Sequence, residues 1–273
     1  MLLCDSHCHS NNSFDAKNTV DEMCQAAISR GLYALAITDH CEAHYLNCGE
    51  NCEFGIFDRQ IPKSVSEMNI AKKQYAKQLK VLCGLELGEP MHDPAQTTKA
   101  LSYGSFDFIL ASVHNLRGRD DFYYMDFSKV NIDTILQEYF TELAETAAFE
   151  HFDSLAHLTY PLRYIVERTG SFPDLSKHYH LIDDVFNILI KNHKALEINV
   201  SGLFKPMKTT LPDVSLVARF KELGGRYVTI GTDAHSEDMV GKGIEQGIAV
   251  AKEAGFTEYT IFENHTPIQI PIA

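Results

Sequence analysis

The sequence predicts an α/β fold, a closed (β/α) barrel forming a single domain over residues 1–273. Short apolar runs recur along the whole chain, amphipathic helical patterns fill the gaps between them, and no Gly/Ser/Pro-rich linker divides it. Strand followed by helix at even spacing favours a closed barrel over an open sheet.

The predicted strands are LLCD (2–5), YALAIT (33–38), KVLCGLEL (80–87), FDFILASV (106–113), FDSLAHL (152–158), ALEINV (195–200) and RYVTIGT (226–232). They are short, partly β-branched and bounded by turn residues, as parallel strands buried on both faces are. After the first, Thr19 and Glu22 form a capping box, Val20, Met23, Ala27 and Ile28 make one apolar face, and Gly31 supplies the stop. Ser64 and Glu67 repeat that capping scheme before SVSEMNIAKKQYAKQL. Leu136, Phe140, Leu143 and Ala147 stripe a helix over 133–149, and Leu181, Ile182, Val185 and Leu189 another over 178–192. Two last helices end at the glycine pair 224–225 and at Gly255.

A formal net charge of −13 argues against nucleic acid or an anionic membrane surface as partner, since both reward basic patches. No signal-peptide pattern or spanning apolar run is present, and the seven cysteines fit thiols in a reducing cytoplasm. Cys41, Cys48 and Cys52 match no standard four-ligand zinc spacing.

The strand ends carry the chemistry. The first opens into His7, His9 and Asp15, within CDSHCHSNNSFDA; the second into TDH, with Asp39 and His40. The third carries Glu86, the fourth His114 in SVH, the fifth His157, and the seventh Asp233 and His235 in TDAH. In a barrel all these ends surround one mouth. A lone strand histidine is usually a hydrogen-bonded core residue; the shared phase of so many points instead to metal. His44, His92, His151, His178, His180 and His193 are expected on the surface, and Asp5, Asp39 and Asp153 as residues that orient others.

Six neutral imidazoles and three carboxylates exceed what one ion takes, and suit two or three divalent ions, most readily three, with Glu86 bridging. Three carboxylates leave such a cluster net positive, so it attracts a phosphate dianion and makes hydroxide available from bound water at neutral pH. Ligation by N and O without cysteine indicates Zn, Mn or Fe.

DSHCHS (5–10), TDH (38–40), SVH (112–114) and TDAH (232–235) resemble the motifs of the PHP (polymerase and histidinol phosphatase) family of metal-dependent phosphoesterases, and the resemblance spans essentially the whole chain. It implies a distorted, TIM-like (β/α)7 barrel with a trinuclear centre. By resemblance, His7, His9, Glu86 and Asp233 hold one ion, Glu86, His114 and His157 a second, and Asp15, His40 and His235 a third. Family members vary between Asp and His at the position of Asp15. EINVSGLFKP (197–206) and LTYPLRY (158–164) look most like the stand-alone histidinol-phosphate phosphatases, which act in histidine biosynthesis.

The expected reaction is phosphomonoester hydrolysis by a metal-bridging hydroxide, with a small phosphorylated substrate as partner. Arg163 is the first candidate to grip phosphate and Lys205 the second. His235 or an ion-bound water would serve as general acid, and Tyr160, Tyr164 and Glu42, expected in loops, would line the rim. A nucleotidase or broad phosphoesterase of the same family is the rival enzyme, and a metal-stabilised binding module the rival of another class. Barrel amidohydrolases also use HxH, but no lysine stands at a matching strand end.

Overall fold

A computed structural model describes residues 2–43 and 55–272. Among them, seven parallel strands form a nearly closed ring: β1 (Cys4–Cys8), β2 (Ala34–Ile37) with its short continuation β3 (His40–Glu42), β4 (Lys80–Gly88), β5 (Phe108–Ser112), β6 (Ser154–Leu155), β7 (Ala195–Asn199) and β8 (Val228–Gly231). β2 and β3 both pair with β4, so they count as one interrupted strand. All seven expected strands are present and lie in chain order around the ring. No described helix is long and apolar enough to cross a membrane.

The helices pack outside. α1 (Val20–Ser29) carries the complete capping box: Glu22 N–H donates to Thr19 Oγ1 at 3.2 Å and Thr19 N–H to Glu22 Oε2 at 2.8 Å. α4 (Ile132–Ala147), α6 (Tyr179–Lys191), α7 (Val214–Glu222) and α8 (Ile244–Glu253) lie within the expected patterns or close to their ends. Each buries an apolar face, Leu136, Phe140 and Leu143 on α4 and Ile182, Val185 and Leu189 on α6. At about 1.5–3 kcal/mol for each large side chain, such burial dominates their docking.

Other elements differ from expectation. α2 (Phe57–Gln74) begins well before Ser64 and runs through Pro62, because Phe57, Ile61, Val65 and Met68 make one continuous buried face. Ser64 is therefore no cap; its hydroxyl donates to Asp39 Oδ2 at 2.5 Å, and Glu67 accepts from Asn12. α3 (Pro94–Leu101), capped by Asp93, and α5 (Tyr160–Thr169) occupy stretches that had no expected helix. After α8, an antiparallel hairpin of β9 (Glu258–Glu263) and β10 (Thr266–Pro271) extends the chain beyond the barrel repeat. His178 is buried, at 5% exposure, against the expected surface position, and the His92 side chain bonds to Glu142 at 2.7 Å with 4% exposure. His151, His180 and His193 are exposed.

The thiols of Cys4, Cys8, Cys24, Cys41 and Cys83 are free and buried; His44, Cys48 and Cys52 lie outside the described residues.

The seam between β1 and β8 is held at its mouth end. Asp233 N–H donates to His7 O at 2.7 Å, His9 N–H donates to Ala234 O at 2.8 Å, and Asp5 accepts from Thr232 N–H and Oγ1–H at 2.9 and 2.6 Å.

Candidate metal centre

The strand ends deliver their polar residues to one point. His7 and His9 alternate with Cys8 on β1, so both rings enter the mouth while Cys8 packs into the core and donates to Ala36 O. His7 Nε2 faces His9 Nε2 at 3.1 Å. Glu86 lies between two groups of rings. Its Oε2 is 3.2 Å from His7 Nε2, 3.5 Å from His9 Nε2 and 3.0 Å from His40 Nδ1; its Oε1 is 3.1 Å from His114 Nε2 and 3.0 Å from His157 Nε2. Asp233 Oδ1 is 3.3 Å from His9 Nε2. His157 and Asp233 both have left-handed backbone, φ +23° and +55°, a conformation costly for such residues and concentrated at functional sites.

The third group sits higher. Asp15 Oδ2 is 3.1 Å from His235 Nε2 and 3.8 Å from His40 Nε2, and the His9 and His40 rings stack at 4.2 Å. The Asp15 side chain is 41% exposed. All nine expected ligands thus meet around one mouth, in groups close enough to share ions.

Donor chemistry fits cations. Burial opposes charge at His7, His40 and His114, yet Glu197, Glu86, Asp15 and Glu42 push these imidazoles well above their ordinary range. Glu86 and Asp233 are held well below the carboxylate range, against burial, by the imidazoles around them and, for Asp233, first by Arg163. Such concentrated negative charge calls for positive ions. Among the described residues, the buried Nδ1 of His157 has no hydrogen-bond partner.

Sequence reasoning missed the supports. Glu197, fully buried on β7, accepts from His7 Nδ1 at 2.7 Å and from His157 N–H at 2.7 Å. It orients two candidate ligands at once and directs Nε2 of His7 inward. Glu42 is no loop residue: it ends β3, buried, 3.2 Å from His40 Nδ1 and 3.3 Å from His114 Nδ1. Asp39 accepts from Ser10 N–H and from the hydroxyls of Ser10, Ser13 and Ser64, fixing the loop after β1.

The model of the PHP domain matches residues 5–201, well over half of the chain. The chain belongs to the PHP domain family. Its relatives include the histidinol-phosphatase of Lactococcus lactis subsp. lactis, 28% identical over 96% of this chain and 95% of the relative. The probable histidinol-phosphatase of Thermotoga maritima is 31% identical, covering 93% of each. Among solved structures, the histidinol phosphate phosphatase of Lactococcus lactis complexed with zinc, L-histidinol and phosphate aligns with TM-score 0.83 at 24% identity, over 97% of this chain and 98% of that one. That likeness speaks for the PHP fold. The stretch matched by the PHP model stops before Asp233 and His235, which follow β8.

Above the PHP cluster lies a cavity of about 390 Å³, lined by His40, His114 and Asp15 below and by tyrosines above. Tyr160 and Tyr164 lie on α5, not on a loop. Arg163, also on α5, donates through Nη2 to Asp233 Oδ2 at 2.7 Å and to Ser201 Oγ at 2.6 Å, while its buried Nε has no partner among the described residues. Lys205 is exposed at the end of a 3-10 turn, Ser201–Phe204, and is not among the residues lining the cavity.

Proposed function

We propose that this PHP protein is a histidinol-phosphatase, hydrolysing L-histidinol phosphate to L-histidinol and phosphate, with residues 1–273 as one phosphoesterase domain. The observation that carries the reading is Glu86, one oxygen of which faces the rings of His7, His9 and His40 and the other those of His114 and His157, beneath a cavity sized for a small molecule. The names of the relatives supply the substrate. We assign three ions, of Zn, Mn or Fe, to the three groups named above, and place the enzyme in cytoplasmic amino-acid biosynthesis, where its buried thiols stay reduced.

Bound divalent ions would supply Lewis acidity, activating water and neutralising phosphoryl charge. The chain's own groups do the rest. Arg163, held by Asp233 and Ser201 beside the candidate ligands and outside the cavity lining, carries the guanidinium that we assign to gripping phosphate oxygens. Lys205, exposed and likewise outside the cavity lining, makes no hydrogen bond or ion pair with a candidate ligand among the described residues and stands second to Arg163. His235 donates Nδ1–H to Asp233 O at 2.9 Å, which leaves Nε2 bare in the neutral ring. As a neutral ring it is a ligand; only as imidazolium, the form Asp15 favours, does it carry a proton to the leaving alkoxide.

The test is phosphate release by metal-reconstituted protein from L-histidinol phosphate beside a panel of nucleoside monophosphates. We expect kcat/KM for L-histidinol phosphate to exceed the rest by about a hundredfold or more, about 2.7 kcal/mol of transition-state preference. Equal or faster turnover of nucleotides would make the protein a PHP nucleotidase instead.

A further inference from the structure

Asp15 and His235 are the most exposed of the candidate ligands, with side chains 41% and 29% accessible, and each stands on a loop, one after β1 and one after β8. A loop holds a side chain less firmly than a strand does. Their approach to 3.1 Å therefore needs support from outside the ion groups.

The loop after β8 is pinned at both ends by one carboxylate, since Asp5 accepts from Thr232 N–H and from Gly241 N–H, each at 2.9 Å. It is also stitched to the loop after β1. Lys17 N–H donates to His235 O at 3.1 Å, and Glu237 N–H to Asn18 Oδ1 at 3.0 Å. Its outer turn is held by Arg30, the C-cap residue of α1. Nη1 donates to Glu237 O at 2.8 Å and to Val240 O at 2.5 Å, and Nη2 donates to Asp238 O at 2.7 Å. Three carbonyls of one turn thus converge on one guanidinium, whose planar fork keeps its donors in fixed directions. Because α1 starts just after Asn18 and ends just before Arg30, the post-β8 loop is tied to both ends of the same helix. Among the described residues Arg30 hydrogen-bonds to no candidate ligand, so it reaches the third group through the loop alone.

We propose that Arg30 is a positioning residue: by gathering the carbonyls of Glu237, Asp238 and Val240 it fixes His235 beside Asp15, and so sets how tightly the third group holds its ion. This rests on the three-ion reading proposed above and is independent of which phosphomonoester is the substrate.

The experiment is a double-mutant cycle between Arg30→Ala and His235→Ala in the full chain, read as zinc affinity by chelator competition, with kcat and KM for L-histidinol phosphate measured alongside. Melting curves establish that each variant folds. Arg30→Ala should weaken the loosest-bound zinc about tenfold and lower phosphate release by a similar factor, expressed mainly in kcat. In the His235→Ala background the same substitution should change zinc affinity by no more than about twofold, because its route to the ion is already cut. Arg30→Lys, a point charge without the fork, should resemble Arg30→Ala. Guanidinium chloride well below denaturing concentration should restore part of the loss in Arg30→Ala, and equal sodium chloride should not. A folded Arg30→Ala variant with wild-type zinc affinity overturns the proposal, as do losses that simply multiply with those of His235→Ala. Unchanged zinc affinity in His235→Ala removes the ligand through which Arg30 would act and overturns it too. A wild type that prefers nucleoside monophosphates sinks the histidinol reading alone, and the zinc cycle still decides on Arg30.

Discussion

Glu197 Oε1 lies 2.7 Å from His7 Nδ1, with both side chains fully buried, and its other oxygen accepts the His157 backbone N–H. One carboxylate thereby fixes ligand candidates from β1 and from the end of β6, whose rings lie 5.8 Å apart. Glu197→Gln keeps the shape but removes the charge that stabilises a protonated Nδ1. We expect zinc affinity to fall about 10- to 100-fold, measured by chelator competition. Unchanged affinity would mean that His7 needs no outer support.

His9 touches two of the three groups, through Glu86 and Asp233 on one side and His40 and His235 on the other. Burial and neighbouring rings lower its pKa to about 3, so it is a neutral donor. His9→Ala should cut phosphate release by at least about a hundredfold and lower the bound metal per chain, while far-UV circular dichroism stays the same. Near-normal turnover with full metal content would sink the site assignment.

Gly231 ends β8 directly behind this pair. A Cβ there would stand 2.3 Å from His7 Cβ and 2.5 Å from Glu197 Oε1. Gly231→Ala should therefore push His7 and Glu197 apart, cost about 1–3 kcal/mol and weaken zinc binding together with thermal stability. Wild-type melting and zinc affinity in this variant would show that the packing relaxes freely.

At the opposite end of the barrel, His265 Nδ1 lies 2.9 Å from Asp153 Oδ2, and that hydrogen bond raises the imidazole pKa above its ordinary value. The folded state then binds the proton more tightly than the unfolded chain. The pair's contribution is complete below about pH 6.5 and is lost as pH rises through the raised value. Because His265 is half exposed, the effect is small. Melting of wild type and His265→Gln should differ at about pH 6 and converge at about pH 9; a gap that widens with pH would contradict the sign.

Most of the candidate ligand positions were legible because they fall where a buried apolar run meets polar residues, as in SVH and TDAH. Their supports were harder to see. Glu197 sits inside ALEINV, where strand periodicity says nothing of a partner nearly two hundred residues away. The signal was there, since a carboxylate alone in a doubly buried strand must be neutralised by something. Ser64 and Glu67 satisfied a capping pattern while holding Asp39 and Asn12 instead, since a local motif cannot report that a helix has already begun at Phe57. Pro161 at the start of α5 was an available helix-start signal, missed because LTYPLRY is too short to show a period.

The ring closes where β1 meets the segment after β8, through bonds between residues more than two hundred positions apart. His7 and His9 stand on one side of that join, Asp233 and His235 on the other. The two halves of the candidate cage are therefore supplied by distant parts of the chain and meet only when β8 docks beside β1, so the full ligand set exists only once the ring has closed.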